Sequence, residues 1–257
     1  MEWIYLSPHF DDIAFSCGGL AWEQTHRGES VSIWTICAGE EPPGDFSPYA
    51  QAHHERWQTG REAVAHRRLE DIQACKLMGA SYHHLPVPDA IYRREGEDYF
   101  HPAADAADRY AEKWLYDSYE RLFAGIDASE AALIRQIGQA LAGKLAQDSL
   151  LVSPLGLGGH VDHKLTRAAA EALGKPLWYY ADFPYVLQHE QEIESLLESG
   201  WEKEVFPISP EGLEAWHGAI AAHQSQISTF WSDLEAMRAD LERHFAEMGG
   251  INLWRKR

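Results

Sequence analysis

Cysteine is scarce in this chain of 257 residues: Cys17, Cys37 and Cys75 are odd in number and far apart. They allow neither a disulfide framework nor a Cys-x-x-Cys metal knuckle, and a reducing cytoplasm is the expected setting. Positive charge is also in short supply, with 22 Lys+Arg against 40 Asp+Glu and a formal charge of −18. Such a field repels phosphate backbones and anionic lipid, which argues against nucleic acid and membrane surfaces as partners. No run of about 18 apolar residues occurs. Met1-Glu2-Trp3 lacks a cationic region ahead of an apolar one, so a soluble chain without a targeting segment is expected. Neither G-x-G-x-x-G nor G-x-x-x-x-G-K-[ST] is present, so Gly18-Gly19 and the Gly156 to Gly159 loop read as tight turns and close packing rather than phosphate cradles. What the chain has in quantity is aromatic surface, with 10 Trp and 11 Tyr. Composition alone leaves core or subunit-interface packing and a sugar-stacking groove both open.

The order of elements predicts an α/β chain. Trp3-Ile4-Tyr5-Leu6 reads as a first buried strand, Ile13 to His26 as a helix closed at Arg27-Gly28, and Val31 to Cys37 as a second strand. Strand, helix and strand within this span imply a parallel pair with a right-handed crossover. A long helical stretch from Tyr49 to Met78 stops at Gly79, and Tyr82 to Leu85 gives a third strand ended by Pro86. Residues 91–125 break the alternation and predict an excursion over the sheet edge, with a lid as its candidate role. A helix over 128–146, a strand at 149–153, a helix over 160–173 and a strand at 177–180 then restore it. The C-terminal third, including 209–247, reads as mostly helical, with Ser209 as N-cap and Pro210 at the first position. Leu213, Trp216, Ile220, Ile227, Phe230, Leu234, Met237 and Leu241 form a core-facing stripe with His223 in its one gap, expected as a hydrogen-bonded interior histidine. Trp254 to Arg257 is a basic tail without evident meaning. The expectation is a single domain over 1–257, a three-layer Rossmann-like sandwich with a mostly parallel sheet and helices on both faces.

Open parallel sheets bind ligands at the carboxyl ends of their strands, and two polar clusters fall there. His9, Asp11 and Asp12 follow the first strand; His160, Asp162 and His163 follow the strand at 149–153. His9 with Asp12, and His160 with His163, are each three apart at a helix start, so each pair can face one point. Imidazole and carboxylate are suitable zinc donors, and three protein ligands leave a position open for catalysis. The competing role for such residues at a helix start is capping.

Ser7-Pro8-His9-Phe10-Asp11-Asp12 with Cys17-Gly18-Gly19, followed by His160-Val161-Asp162-His163, resembles the two signatures of the PIG-L (LmbE-like) N-acetylglucosaminyl deacetylases in order and separation. Arg67 with Glu70, Ala74 and Gly79 is similar to the family's next helix, and Asp89 to its aspartate after the third strand, so the resemblance spans roughly 1–185. It implies zinc, or another divalent ion, held by His9, Asp12 and His163. It further implies Asp11 as general base toward the water activated by the metal, and His160, oriented by Asp162, as oxyanion donor. The implied reaction cleaves the N-acyl amide of an amino sugar or sugar conjugate, releasing acetate and an amine. Many members carry Glu after the Asp pair where this chain has Ile13, so any role for a carboxylate at that place is absent here. Arg67 and Asp89 are candidate substrate contacts, although Arg67 and Glu70 could equally be a surface ion pair. His53-His54 and His83-His84 match no signature and read as solvated or packing residues. Two other readings compete: a non-catalytic carbohydrate- or nucleotide-binding protein that keeps the fold, and a phosphoester metallo-hydrolase. Retention of all the candidate residues weighs against the first, and acidic charge with a single expected metal against the second. A small-molecule N-acylated sugar is the expected partner, and homo-oligomerisation stays open.

Overall fold

Buried β-prone runs that begin after turns give this fold its centre. In the computed structural model, residues 1–57, 60–101 and 113–256 are described. β1 (Glu2–Ser7), β2 (Ser30–Thr35), β3 (Ser81–His84), β4 (Leu150–Pro154) and β5 (Leu177–Tyr180) are mutually parallel, and β6 (Trp201–Phe206) and β7 (Ile251–Lys256) complete the sheet in antiparallel sense. The strand order is β3-β2-β1-β4-β5-β7-β6. β1 therefore lies between β2 and β4, and the chain leaves it in opposite directions for the two halves of the sheet. That reversal opens a crevice at the carboxyl ends of β1 and β4. The two polar clusters, remote in sequence, start from these two neighbouring strands.

The helices are α1 (Asp12–His26), α2 (Pro48–Trp57), α3 (Ala63–Met78), α4 (Tyr119–Ala124), α5 (Ala131–Ala142), α6 (Val161–Glu171), α7 (Glu190–Glu198), α8 (Pro210–Ala221), α9 (Gln224–Phe230) and α10 (Leu234–Met248). α1, α3 and α8 pack on one another, and α5 packs on α6. Right-handed crossovers on either side of β1 place these two groups on opposite faces, which is the three-layer arrangement expected. α1 is buried nearly all round because α8 closes over it. Here the glycine pair has its reason: a Cβ at Gly18 would lie 2.8 Å from Cδ1 of Trp216. Trp216 Nε1 donates to the carbonyls of Ala14 and Phe15 at 3.0 Å each, so α8 fixes the helix that carries the first cluster.

Several boundaries differ from expectation. The helical stretch at 49–78 is two helices, with a 3-10 turn at Gly60–Glu62 between them where Gly60 has φ +55°. The C-terminal third is not all helical. β6 and β7 extend the sheet, and the basic tail forms the end of β7, with Trp254 1% exposed, Arg255 paired to Glu202 and Lys256 to Glu171. Alternation there is masked by charged residues on the outer face of an edge pair. The apolar stripe is divided among α8, α9 and α10, and Leu234, at the first position of α10, is exposed. Ser209 caps α8 by accepting from the Gly212 N–H. His223 is interior, as expected, but among the described residues neither ring nitrogen has a hydrogen-bond partner, and its ring meets Phe15 edge to face. Within the excursion, residues 102–112 lie outside the described residues; Ile91, Tyr92, Leu115, Tyr116 and Leu122 join Phe10 and Val161 in a second apolar cluster.

Candidate metal centre

The turn after β1 is built around Asp12. Its Oδ2 accepts the His9 backbone N–H at 2.7 Å and lies 3.4 Å from His9 Nδ1, while its Oδ1 lies 3.4 Å from His163 Nε2. The donor atoms of His9, Asp12 and His163 all fall within 4.8 Å of one another. In a tetrahedral site with metal–ligand bonds of roughly 2.0–2.2 Å, neighbouring ligands stand roughly 3.3–3.5 Å apart. The two carboxylate–imidazole separations already have that value, so these residues fit a divalent cation.

The outer nitrogens of both rings are held by carboxylates. His9 Nε2 is 2.9 Å from Asp162 Oδ2, and His163 Nδ1 is 2.6 Å from Asp182 Oδ1. Each contact fixes a tautomer that leaves the inward nitrogen free to ligate, the usual outer arrangement of a histidine metal site. Asp182 is 1% exposed, and its other oxygen accepts the N–H groups of Gly156 and Leu157 at 2.7 and 2.9 Å. It thereby ties the glycine loop to the ligand. Gly158, at φ +76°, leaves room for Tyr185, whose Cδ1 a Cβ would meet at 2.7 Å.

The same donors draw positive charge. Burial opposes a charged His9, but Asp89, Asp12 and Asp162 outweigh it and raise its pKa. Burial likewise opposes protonation of His163, and Asp12 and Asp182 raise it. Burial would push the Asp12 carboxyl up, yet His163 and His9 hold it far below the usual carboxylate range. A second group, His9 with His160 and Asp162, also falls within 4.8 Å. It fits a cation less well, because both oxygens of Asp162 are taken: one by Arg93, the other by His9 and the Ala90 N–H.

Capping separates the candidates. Asp11 stands at the N-cap of α1 with no side-chain cap bond, 6% exposed, and Arg67 Nη2 donates to its Oδ1 at 3.2 Å. Asp11 lines the cavity beside His9, Asp12 and His163, and its carboxylate makes no cap bond to the helix backbone. His160 does cap α6, its Nδ1 accepting the Asp162 N–H at 3.1 Å. An accepting Nδ1 places the proton of the neutral ring on Nε2, a donor. Burial, then the neighbouring His9, depress the pKa of His160 to about 3. The expected orientation of His160 by Asp162 thus runs through the main chain, whereas the Asp162 carboxylate serves His9 and Arg93.

Arg67 is no surface residue. It is 6% exposed and pairs with Asp11 and, at 3.5 Å, with Asp89, while Glu70 accepts from Ser225 instead. The surface ion-pair alternative therefore falls. Arg67, Asp11 and Asp89 line a cavity of about 420 Å³ whose lining is also rich in aromatic rings, including Tyr49, Tyr119, Phe123, Tyr185 and Phe230. His53 lines it too while packing on the rings of Tyr49 and Trp57; His54 bonds Tyr92, and His84 bonds Asp71 at 2.6 Å. Ile13 is 1% exposed, within the main core. Sequence reasoning missed Asp182 and Arg93. Asp182 could have been found by the rule that located His9, since it follows the carboxyl end of β5; Arg93 carried no such signal.

A family model described as GlcNAc-PI de-N-acetylase (PIG-L) matches residues 4–173. A 2'-N-acetylparomamine deacetylase of Niallia circulans is 29% identical over 217 residues, 77% of this chain and 71% of the relative. Its counterpart from Streptomyces fradiae is 28% identical over 73% of this chain, which spans 58% of that relative's length. Among solved structures, the A40926 pseudoaglycone deacetylase superposes with TM-score 0.70 at 26% identity, covering 99% of this chain and 95% of that one. The zinc-inhibited form of a teicoplanin deacetylase shares the fold, with TM-score 0.76 at 22% identity over 99% and 97% of the two chains.

Proposed function

The chain belongs to the PIG-L (GlcNAc-PI de-N-acetylase) family, and from that premise we propose that it hydrolyses the N-acetyl amide of an amino sugar or sugar conjugate. Water adds across the C–N bond, and the products are acetate and a free amine. The observation that carries this reading is one cavity holding three groups of different kinds. They are the cation-fitting trio His9, Asp12 and His163, the uncapped carboxylate of Asp11, and the neutral Nε2–H of His160.

Zinc is the ion we assign to the trio; when bound, it polarises an acyl carbonyl and lowers the pKa of a water at the open position. The protein's own groups do the rest. Asp11, aimed by Arg67, accepts a proton from the attacking water and later delivers it to the leaving amine. His160 Nε2–H donates to the carbonyl oxygen as charge builds there, and because its ring is neutral it needs no prior protonation. Arg67 and Asp89 stand side by side in the same cavity and offer a donor and an acceptor to sugar hydroxyls. The aromatic lining suits the apolar faces of a sugar ring, so part of the aromatic content of the sequence belongs to this cavity. The relatives' names, a 2'-N-acetylparomamine deacetylase and the A40926 pseudoaglycone deacetylase, support this substrate class.

The test is a panel of N-acetylated amino sugars, aminoglycosides and glycopeptide sugars incubated with zinc-loaded protein, with acetate and free amine measured together. Equimolar release from at least one member is expected. No release from any would leave the carbohydrate-binding alternative standing.

A further inference from the structure

The loop after β3 carries a guanidinium that the reaction above does not use. Arg93 is 0% exposed. Its Nε donates to Glu130 Oε1 at 2.5 Å, and its Nη1 donates to Asp162 Oδ1 and to the Pro88 carbonyl, the latter at 3.3 Å. Glu130, 4% exposed, also accepts from the Tyr116 hydroxyl, and the Tyr116 ring lies 5.2 Å from the guanidinium carbon. Asp162, with no exposed surface, divides its oxygens: Oδ1 meets Arg93, and Oδ2 meets His9 Nε2 at 2.9 Å and the Ala90 N–H at 3.0 Å.

We infer that Arg93, seated by Glu130 and Tyr116, is a positioning residue for the metal ligand His9 and acts through Asp162, an inference that rests on the metal-centre reading above. The geometry is a relay of three contacts. Glu130 and Tyr116 fix the guanidinium plane; the guanidinium occupies Oδ1 and so fixes the carboxylate plane; the carboxylate then presents Oδ2 to His9 Nε2. Without Arg93, the buried Asp162 Oδ1 loses the donor it meets, and the carboxylate can turn about its last torsion. His9 then loses the contact that keeps Nδ1 turned toward Asp12. One buried cation also sits between two buried carboxylates, and removal of the cation strands both. Arg93 and Tyr116 come from the excursion at 91–125, so this segment is built into the support of the site.

Zinc affinity, measured by competition with a chelator, tests the inference apart from turnover. Wild type is titrated first; failure to bind zinc defeats the metal-centre reading itself. With wild-type binding established, Arg93→Met is expected to weaken zinc roughly 10- to 100-fold, the usual cost of losing an outer partner of a ligand. Arg93→Lys, which keeps the charge but loses the planar fork, is expected to fall between. In an Asp162→Asn background, Arg93→Met is expected to add less than about threefold, because the route to His9 is already cut. Unchanged affinity in a folded Arg93→Met protein, or the same loss in both backgrounds, would overturn the relay. Should Arg93→Met not fold, Arg93→Lys and Glu130→Gln carry the test, and wild-type affinity in both overturns it.

Discussion

Asp182→Asn separates a metal ligand's geometry from the stability of the fold. In the wild type one oxygen accepts His163 Nδ1–H at 2.6 Å and the other accepts the N–H groups of Gly156 and Leu157 at 2.7 and 2.9 Å. Asparagine has one acceptor and one donor to place at these two positions. If its oxygen faces the two loop N–H groups, its NH₂ faces His163 Nδ1. The ring must then accept there and carry its proton on Nε2, the nitrogen directed at Asp12. If the amide is reversed, His163 keeps the right tautomer but two loop N–H groups face an NH₂. Leaving two buried donors unpaired costs on the order of 2 kcal/mol or more, so the metal-free protein adopts the first arrangement with its hydrogen bonds intact. Zinc can recover Nε2 only by forcing the second, and that cost enters the binding free energy as about a 30-fold weaker Kd. Chelator competition reads the Kd, and a thermal melt without metal is expected to change by only a few degrees. A folded Asp182→Asn protein that binds zinc within about twofold of wild type would refute the tautomer argument.

Other outcomes follow from the same geometry. Arg67→Met removes the cation that aims Asp11, at 3.2 Å; kcat is expected to fall on the order of 100-fold while zinc affinity holds, and a matching loss of zinc would contradict the role. His160 should remain the neutral Nε2–H tautomer across roughly pH 5 to 8, because burial and His9 place its pKa at about 3; ¹⁵N shifts of labelled histidine check this, and a titration inside that window would refute it. Gly39→Ala puts a Cβ 2.2 Å from the Pro86 carbonyl oxygen and must displace the loop leading to Asp89. About 2 kcal/mol of destabilisation, or a Tm drop of roughly 4–8 °C, is expected, and an unchanged melt would show that the contact is not rigid.

The parallel half of the sheet was legible because β1, β2, β4 and β5 are short apolar runs bounded by turn residues, and buried parallel strands have no other appearance. The convergence of His9, Asp12 and His163 was legible because strand ends concentrate them into two short motifs. β6 was not, since Glu202, Lys203 and Glu204 follow one another on the edge strand, where both faces are partly open to solvent, and no apolar alternation results; without β6, β7 read only as a tail. The support of the site was hidden for a different reason. Asp182 and Arg93 reach their partners across 19 and 69 positions of sequence, and nothing in local periodicity marks such a contact. Arg67 was open between a surface pair and a site residue until burial decided it, because an Arg and a Glu three apart on a helix look the same in either setting.

The central claim is that Asp11 moves the proton while His9, Asp12 and His163 hold the ion. The most direct measurement is zinc content and acetate release, side by side, for wild type and Asp11→Asn on a substrate found in the N-acetyl sugar panel. The account predicts one zinc per chain in both proteins, with acetate release falling by roughly 100-fold or more in the variant. Equal rates, or loss of zinc together with activity, would contradict it.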